Sequence, residues 1–164
     1  MLVLGGTRSG KSAVAEQLAA RLPQPVTYVA TGSATDPGMA ARIIAHRDRR
    51  PRSWSTIEAG ADLPMALSRA TDGTVLVDAL GTWVAAHPDL LPDPERLLTA
   101  LRSRRGDTVV VSEEVGLSVH APSEPARRFV DSLGDLNRAV ADLADEVLLV
   151  VAGRVLPLDR LPPT

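Results

Sequence analysis

Residues 5–12 read Gly5-Gly6-Thr7-Arg8-Ser9-Gly10-Lys11-Ser12, a complete match to G-x-x-x-x-G-K-[ST]. A short apolar run at 2–4 precedes them. Residues 11–22 follow, with Val14, Ala15, Leu18 and Leu22 at helical spacing. A strand that turns through glycines into a helix constrains the fold more than any other stretch of this chain. The glycines let the backbone curl so that several N–H groups converge on phosphate oxygens, and the helix N-terminus adds partial positive charge. Lys11 then reaches the β- and γ-phosphates of a nucleoside triphosphate, and the Ser12 hydroxyl ligates Mg²⁺. Lys11 is also the only lysine among 18 basic residues. A bias toward arginine codons explains most of that asymmetry. It does not explain a single lysine kept inside this motif, where a planar guanidinium replaces a compact ammonium poorly.

The rest of the chain repeats the same alternation. Apolar strands are predicted at 26–30, 74–78, 108–112 and 147–151, and helices at 11–22, 38–46, 63–70, 94–104 and 125–143. Pro23 and Pro25 end the first helix, and Asp36-Pro37 starts the second. The prolines of 87–94 mark a loop, and Gly153 turns the chain into a short antiparallel edge strand at 155–158. Continuously apolar strands alternating with helices imply an α/β fold, a mostly parallel sheet covered on both faces. Residues 1–164 read as a single domain. Ligands in such sheets bind at the carboxyl ends of the strands, here just after Leu4, Ala30, Val77 and Val111.

Composition narrows the function classes. Hydrophobic residues make up 45% of the chain, enough for a sizeable core, but aromatics only 2%, so Leu, Val and Ala must do the packing. A net charge of -2 argues against a nucleic-acid partner, which a basic surplus would favour. The absence of cysteine excludes disulfides, thiolate metal sites and cysteine nucleophiles. No stretch approaches the ~20 apolar residues of a membrane span. The N-terminus lacks the pattern of a signal peptide. A cytoplasmic location is expected.

Asp78 ends an apolar strand and reads either as the acid that partners the metal or nucleotide, or as a helix cap. Glu113 and Glu114 end the next strand. One of them reads as a base for a substrate hydroxyl, or both merely border the cleft. His46 is followed by Arg47, Asp48, Arg49, Arg50 and Arg52. A lone histidine is usually structural and a charge run usually solvated. Yet four arginines within six residues of a nearly neutral chain would attract a triphosphate and keep an imidazole unprotonated and nucleophilic.

Several blocks together resemble the bifunctional adenosylcobinamide kinase / adenosylcobinamide-phosphate guanylyltransferase family of cobalamin assembly. They are the Gly5–Ser12 motif, Tyr-Val-Ala-Thr at 28–31, the stretch from Met39 through His46 to Pro51, and Trp54-Ser-Thr-Ile-Glu58. Later blocks around Val77-Asp78, Ser112-Glu-Glu-Val-Gly116, Gly134-Asp-Leu-Asn137 and 144–153 resemble it too, so the likeness runs from Leu2 to about Leu158. The His46 block is its specific part. The resemblance implies a RecA-like P-loop fold and a homotrimer with active sites between subunits. It implies phosphorylation of the aminopropanol hydroxyl of adenosylcobinamide, then transfer of GMP from GTP through a guanylylated histidine to give adenosylcobinamide-GDP. Carried over by position, His46 is the nucleophile. The nucleotide, GTP or ATP with Mg²⁺, falls to Gly5, Gly6, Thr7, Arg8, Ser9, Gly10, Lys11, Ser12, Thr31, Arg47, Asp48, Arg49, Arg50, Glu58 and Asp78, with Ser12 and Asp78 on the metal.

The chain departs from the family pattern at Ser118, Val130 and Arg138, which bears on the corrinoid side of the site. A monofunctional P-loop kinase for another small metabolite would keep Lys11, Ser12 and Asp78 but have no use for a nucleophilic His46. A RecA-like module whose hydrolysis switches a partner would show extra domains or partner surfaces, of which the sequence gives no sign.

Overall fold

The apolar runs assemble into one seven-stranded sheet in the computed structural model, which describes residues 1–32, 44, 47–70, 72–117 and 123–161. The strands are β1 (Leu2–Gly5), β2 (Val26–Ala30), β3 (Ser55–Glu58), β4 (Thr74–Asp78), β5 (Thr108–Glu113), β6 (Val147–Val151) and β7 (Arg154–Pro157). Their spatial order is β3-β2-β4-β5-β1-β6-β7. Neighbours run parallel except β6 and β7, which pair antiparallel through the turn at Ala152-Gly153. The helices are α1 (Lys11–Arg21), α2 (Leu63–Arg69), α3 (Leu80–Ala85), α4 (Pro94–Ser103) and α5 (Glu124–Leu143). Among the described residues no helix is long and apolar enough to cross a membrane.

Strand alternation divides the core into two layers. Leu2, Leu4, Val75, Val77 and Val110 face α2 to α5 and pack with Leu63, Leu67, Trp83, Leu97 and Leu133. Val3, Tyr28, Leu76, Val109, Val111 and Val150 face the other way, onto Ala15 and Ala19 of α1. The one fully buried tryptophan, Trp83, satisfies its indole N–H on the Ala61 carbonyl at 2.9 Å.

Apart from the helix over 38–46, the predicted strands and helices stand where the patterning put them, with ends shifted by at most one residue. Two elements had no sequence signal strong enough to name them. β3 is a parallel edge strand, and its mostly exposed residues lack the continuous apolar run that marked the buried strands. α3 is only six residues long, too short for a helical period to show. The predicted helix over 38–46, Ile44 apart, and His46 itself lie outside the described residues.

Register fixes the ligand edge. Ala30 pairs with both Asp78 and Glu58, and Gly5 pairs with Glu113 two residues beyond the level of Asp78, so the strand ends form two successive rows on one edge. α5 braces that edge from below. The Ser112 hydroxyl donates to Asn137 Oδ1 at 2.6 Å, and Asn137 Nδ2 donates to the Glu113 carbonyl at 2.9 Å. Ser112 is fully buried, so its hydroxyl has no solvent to fall back on. Asn137→Ala should therefore destabilise the chain by about 1–3 kcal/mol in urea unfolding. A loss under about 0.5 kcal/mol would match an ordinary surface change and show that the brace contributes nothing.

Candidate nucleotide site

The phosphate loop is shaped by backbone conformations that side chains rarely tolerate. Gly10 sits at φ +95°, the left-handed region, immediately before α1. At Gly5 an added Cβ would fall 2.8 Å from the Val150 carbonyl, so only glycine lets β1 leave the sheet beside β6. Arg8, at φ 59°, takes a left-handed conformation without that freedom. The loop closes on itself and is tied in from two sides. Ser9 N–H donates to the Gly6 carbonyl at 3.2 Å, Glu114 N–H to the Gly5 carbonyl at 3.2 Å, and Gly153 N–H to the Ser9 carbonyl at 2.8 Å.

Lys11 and Ser12 open α1 beneath this loop. Lys11 Nζ lies 3.4 Å from Glu113 Oε1 and 3.5 Å from the Gly6 carbonyl. Glu113 is held in turn by the Gly81 N–H in the first turn of α3, at 3.1 Å. The two glutamates thus separate: Glu113 meets the phosphate-loop lysine, while Glu114 accepts from Gly116 N–H at 2.6 Å. Glu114 also lines a cavity of about 570 Å³ between α5 and the C-terminal segment. Val130 and Arg138 line that same cavity, and Ser118 lies outside the described residues.

Ser12 Oγ donates to Asp78 Oδ1 at 3.3 Å, across the width of β5. A hydroxyl and a carboxylate at this spacing form a hard oxygen pair, which suits Mg²⁺, a cation that takes one or two protein ligands and fills its shell with phosphates and water. Asp78 Oδ2 accepts a second hydrogen bond, from the Tyr28 hydroxyl at 3.0 Å.

The arginine segment docks beside this pair. Residues 47–49 make a helical turn. Arg49 forms a two-pronged pair with Glu16 of α1, Nε to Oε2 and Nη2 to Oε1, each at 3.2 Å. The Arg50 guanidinium lies 3.6 Å over the centre of the Tyr28 ring, within cation–π range. Arg47, Asp48, Arg50, Arg52, Trp54 and Thr56 line a cavity of about 540 Å³. Glu58 stands exposed at the end of β3. Thr31 is buried and engaged. Its Oγ1 lies 2.6 Å from both the Ala79 carbonyl and Thr82 Oγ1, and it accepts from Ala79 N–H at 2.9 Å. It therefore knits the end of β2 to the start of α3, next to Asp78.

The structure brings Lys11, Ser12, Asp78, Arg49 and Arg50 into one neighbourhood. Sequence reasoning passed over Tyr28 and Glu16. Glu16 follows Ser12 by four residues and so shares its face of α1. A signal for Tyr28 was available. It is the only tyrosine of the chain, set in a continuously apolar strand, and a buried phenol needs a polar partner.

A mostly parallel sheet of this order, with a phosphate loop joining β1 to α1 and an acid closing β4, defines a P-loop nucleotide-binding protein of RecA-like build. Solved structures agree. A type III secretion ATPase is similar with a TM-score of 0.52 at 12% identity, covering 90% of this chain and 49% of that one. The VirB11 ATPase of Brucella suis is similar at 0.51 and 14% identity, covering 96% and 48%. This chain spans about half the length of each, and the likeness is one of fold. The model of the family described as cobinamide kinase / cobinamide phosphate guanyltransferase matches residues 1–158. The bifunctional adenosylcobalamin biosynthesis protein CobP of Pseudomonas aeruginosa is 42% identical over 170 residues, covering 98% of each chain. The corresponding CobU protein of Salmonella typhimurium is 36% identical over 174 residues, covering 93% of this chain and 96% of that protein. The chain belongs to the cobinamide kinase / cobinamide phosphate guanyltransferase family and is an enzyme of that class.

Burial first, and then the Asp78 carboxylate, hold the Tyr28 phenol well above its ordinary value of 10.0. A raised acid pKa favours the protonated form in the folded state. Stability is therefore unaffected by this group below about pH 10 and falls as the pH rises past the unfolded value. In an alkaline titration, phenolate absorbance from the single tyrosine should appear together with loss of far-UV circular dichroism. A phenolate that forms near pH 10 in a chain still folded would contradict this burial.

Proposed function

We propose that this enzyme phosphorylates the aminopropanol hydroxyl of adenosylcobinamide and then transfers GMP from GTP to that phosphate through a guanylylated His46, giving adenosylcobinamide-GDP. The observation that carries the reading is the docking of the arginine turn, whose first residue follows His46, beside the Lys11–Ser12–Asp78 phosphate site. A phosphate loop alone would serve any kinase. An arginine-rich turn fixed next to it supplies the second function.

In the kinase step GTP or ATP lies along the loop. Lys11 exchanges Glu113 for the β- and γ-phosphate oxygens. Ser12 and Asp78 would hold Mg²⁺, which would supply charge neutralisation to the transferring phosphoryl group. The acceptor hydroxyl oxygen bonds to the γ-phosphorus, the bond to the β-phosphate oxygen breaks, and the hydroxyl proton leaves to a base. In the guanylyl step an imidazole nitrogen of His46 attacks the α-phosphorus of GTP. A P–N bond forms and pyrophosphate departs. The substrate's phosphate oxygen then attacks the same phosphorus and releases the histidine. Imidazole has an unperturbed pKa of about 6.5 and so offers its lone pair at neutral pH. The adjacent arginines favour the neutral ring further.

Two variants separate the steps. With GTP labelled at the α-phosphate, the wild-type chain should take up an acid-labile, base-stable label, and His46→Ala should take up none while still phosphorylating adenosylcobinamide. If His46→Ala is labelled in the same way, the nucleophile is another residue. A wild-type chain that never labels would fit the single-function kinase instead. Lys11→Ala removes the electrostatic clamp on the phosphates and should lower kinase turnover by roughly a hundredfold or more. Turnover within about tenfold of wild type would count against this site.

The corrinoid is large and the domain poor in aromatics, so we further propose a cytoplasmic homotrimer whose interface completes the acceptor site. Exposed Val155 and Leu156 on the edge strand β7 support an assembled state. Light scattering that finds a fully active monomer would remove the idea.

A further inference from the structure

We propose that Tyr28 is a positioning residue that joins the two halves of the nucleotide site: its hydroxyl orients Asp78 for Mg²⁺, and its ring seats Arg50, so that metal binding and docking of the arginine turn are coupled. The inference rests on the function proposed above in naming GTP as the nucleotide and in using GMP loading as one of its readouts.

A carboxylate at the end of a strand can rotate, and one fixed oxygen sets the direction of the other. Tyr28 holds Asp78 Oδ2 at 3.0 Å, which leaves Oδ1 facing Ser12 Oγ at 3.3 Å. Tyr28 is itself immobile. Only 5% of its surface is exposed, and its ring belongs to the core layer formed with Ala15, Ala19 and Leu76. The guanidinium of Arg50 lies on the ring at 3.6 Å. One rigid side chain therefore touches the metal acid with its oxygen and the arginine turn with its face. The neighbouring anchor repeats the arrangement, for Arg49 grips Glu16 one helical turn beyond Ser12. Each member of the Ser12–Asp78 pair thus has one arginine of the same turn fastened to its own element or to its hydrogen-bond partner. The plain alternative is a core tyrosine whose hydroxyl met the nearest acceptor. In that case it would affect stability and nothing else.

Tyr28→Phe keeps the ring and removes the hydroxyl, while Tyr28→Leu removes both. We expect Tyr28→Phe to raise the Mg²⁺ concentration for half-maximal GTP binding by roughly tenfold to a hundred-and-fiftyfold, the range for losing a hydrogen bond to a charged group. GMP loading at saturating Mg²⁺ and GTP should stay near wild type. Tyr28→Leu should show the same Mg²⁺ shift and also load GMP roughly tenfold more slowly, because Arg50 has lost its seat. A Tyr28→Phe midpoint within about twofold of wild type would overturn the role in orienting Asp78. Equal loading rates for the two variants at saturating Mg²⁺ would overturn the role in seating Arg50. Should Tyr28→Leu fail to fold, wild-type chain carrying fluorotyrosine provides a second test, since its one tyrosine gives one fluorine resonance. That resonance should move when Mg²⁺ and GTP are added together. A resonance that stays in place while nucleotide binds would overturn the coupling. The Mg²⁺ midpoint and the resonance need binding alone, so a chain that binds Mg²⁺ and GTP but never takes up GMP refutes the guanylyl-transfer reading and leaves this one standing or falling on its own.

Discussion

Parallel strands give a sheet a direction. Every strand of the parallel part ends on the same edge, and side chains beyond that edge cannot be buried in the sheet. The register here aligns Glu58, Ala30 and Asp78 in one row and Gly5 with Glu113 in the next. The apolar stems behind them are buried on both faces, so the polar groups have one place to go. The nucleotide site follows from that constraint. Even the separation of Asp78 from the phosphate loop is set by it: β5 lies between β4 and β1, and the start of α1 brings the Ser12 hydroxyl back across that strand.

Charge is balanced locally at this edge. Lys11 has Glu113, Arg49 has Glu16, and Arg50 has the π-face of a tyrosine that donates to Asp78. The pairs are partly exposed, where an ion pair contributes modestly. The Lys11–Glu113 pair is therefore one that a competing anion can break without large cost.

What sequence could reveal depended on whether a residue's role was local. The phosphate loop is contiguous, and eight consecutive residues displayed it. The buried strands displayed themselves as apolar runs because both their faces are covered. Most residues of β3 are exposed, so its Ser-Thr-Ile-Glu pattern carried no strand signal. Asp78 was legible as an acid closing an apolar strand, although its choice between cap and metal acid was not. The 3.3 Å approach of Ser12, 66 residues earlier, favours the metal pair. The partners of Tyr28 and Glu16 are distant in sequence, so the need of a buried phenol for a polar partner was legible and the identity of that partner was not. Thr31 was named for the nucleotide on family resemblance, and its buried hydroxyl is occupied with Ala79 and Thr82. His46 and Ser118 lie outside the described residues.

The hydrogen bond from Gly153 to the Ser9 carbonyl has a consequence for the order in which the molecule is built. β1 is flanked by β5 and β6, and the loop that leaves it is pinned by the turn after β6. A ribosome makes the phosphate loop first and its supports last. β5 is in place once about seven-tenths of the chain has been made, but until about nine-tenths has emerged residues 5–12 lack β6 and the turn that pins them. Contacts of such long sequence separation slow folding, because the intervening chain must be closed before they form. During synthesis the motif is a glycine-rich segment with no fixed curvature, and the ability to hold a nucleotide arrives late and all at once.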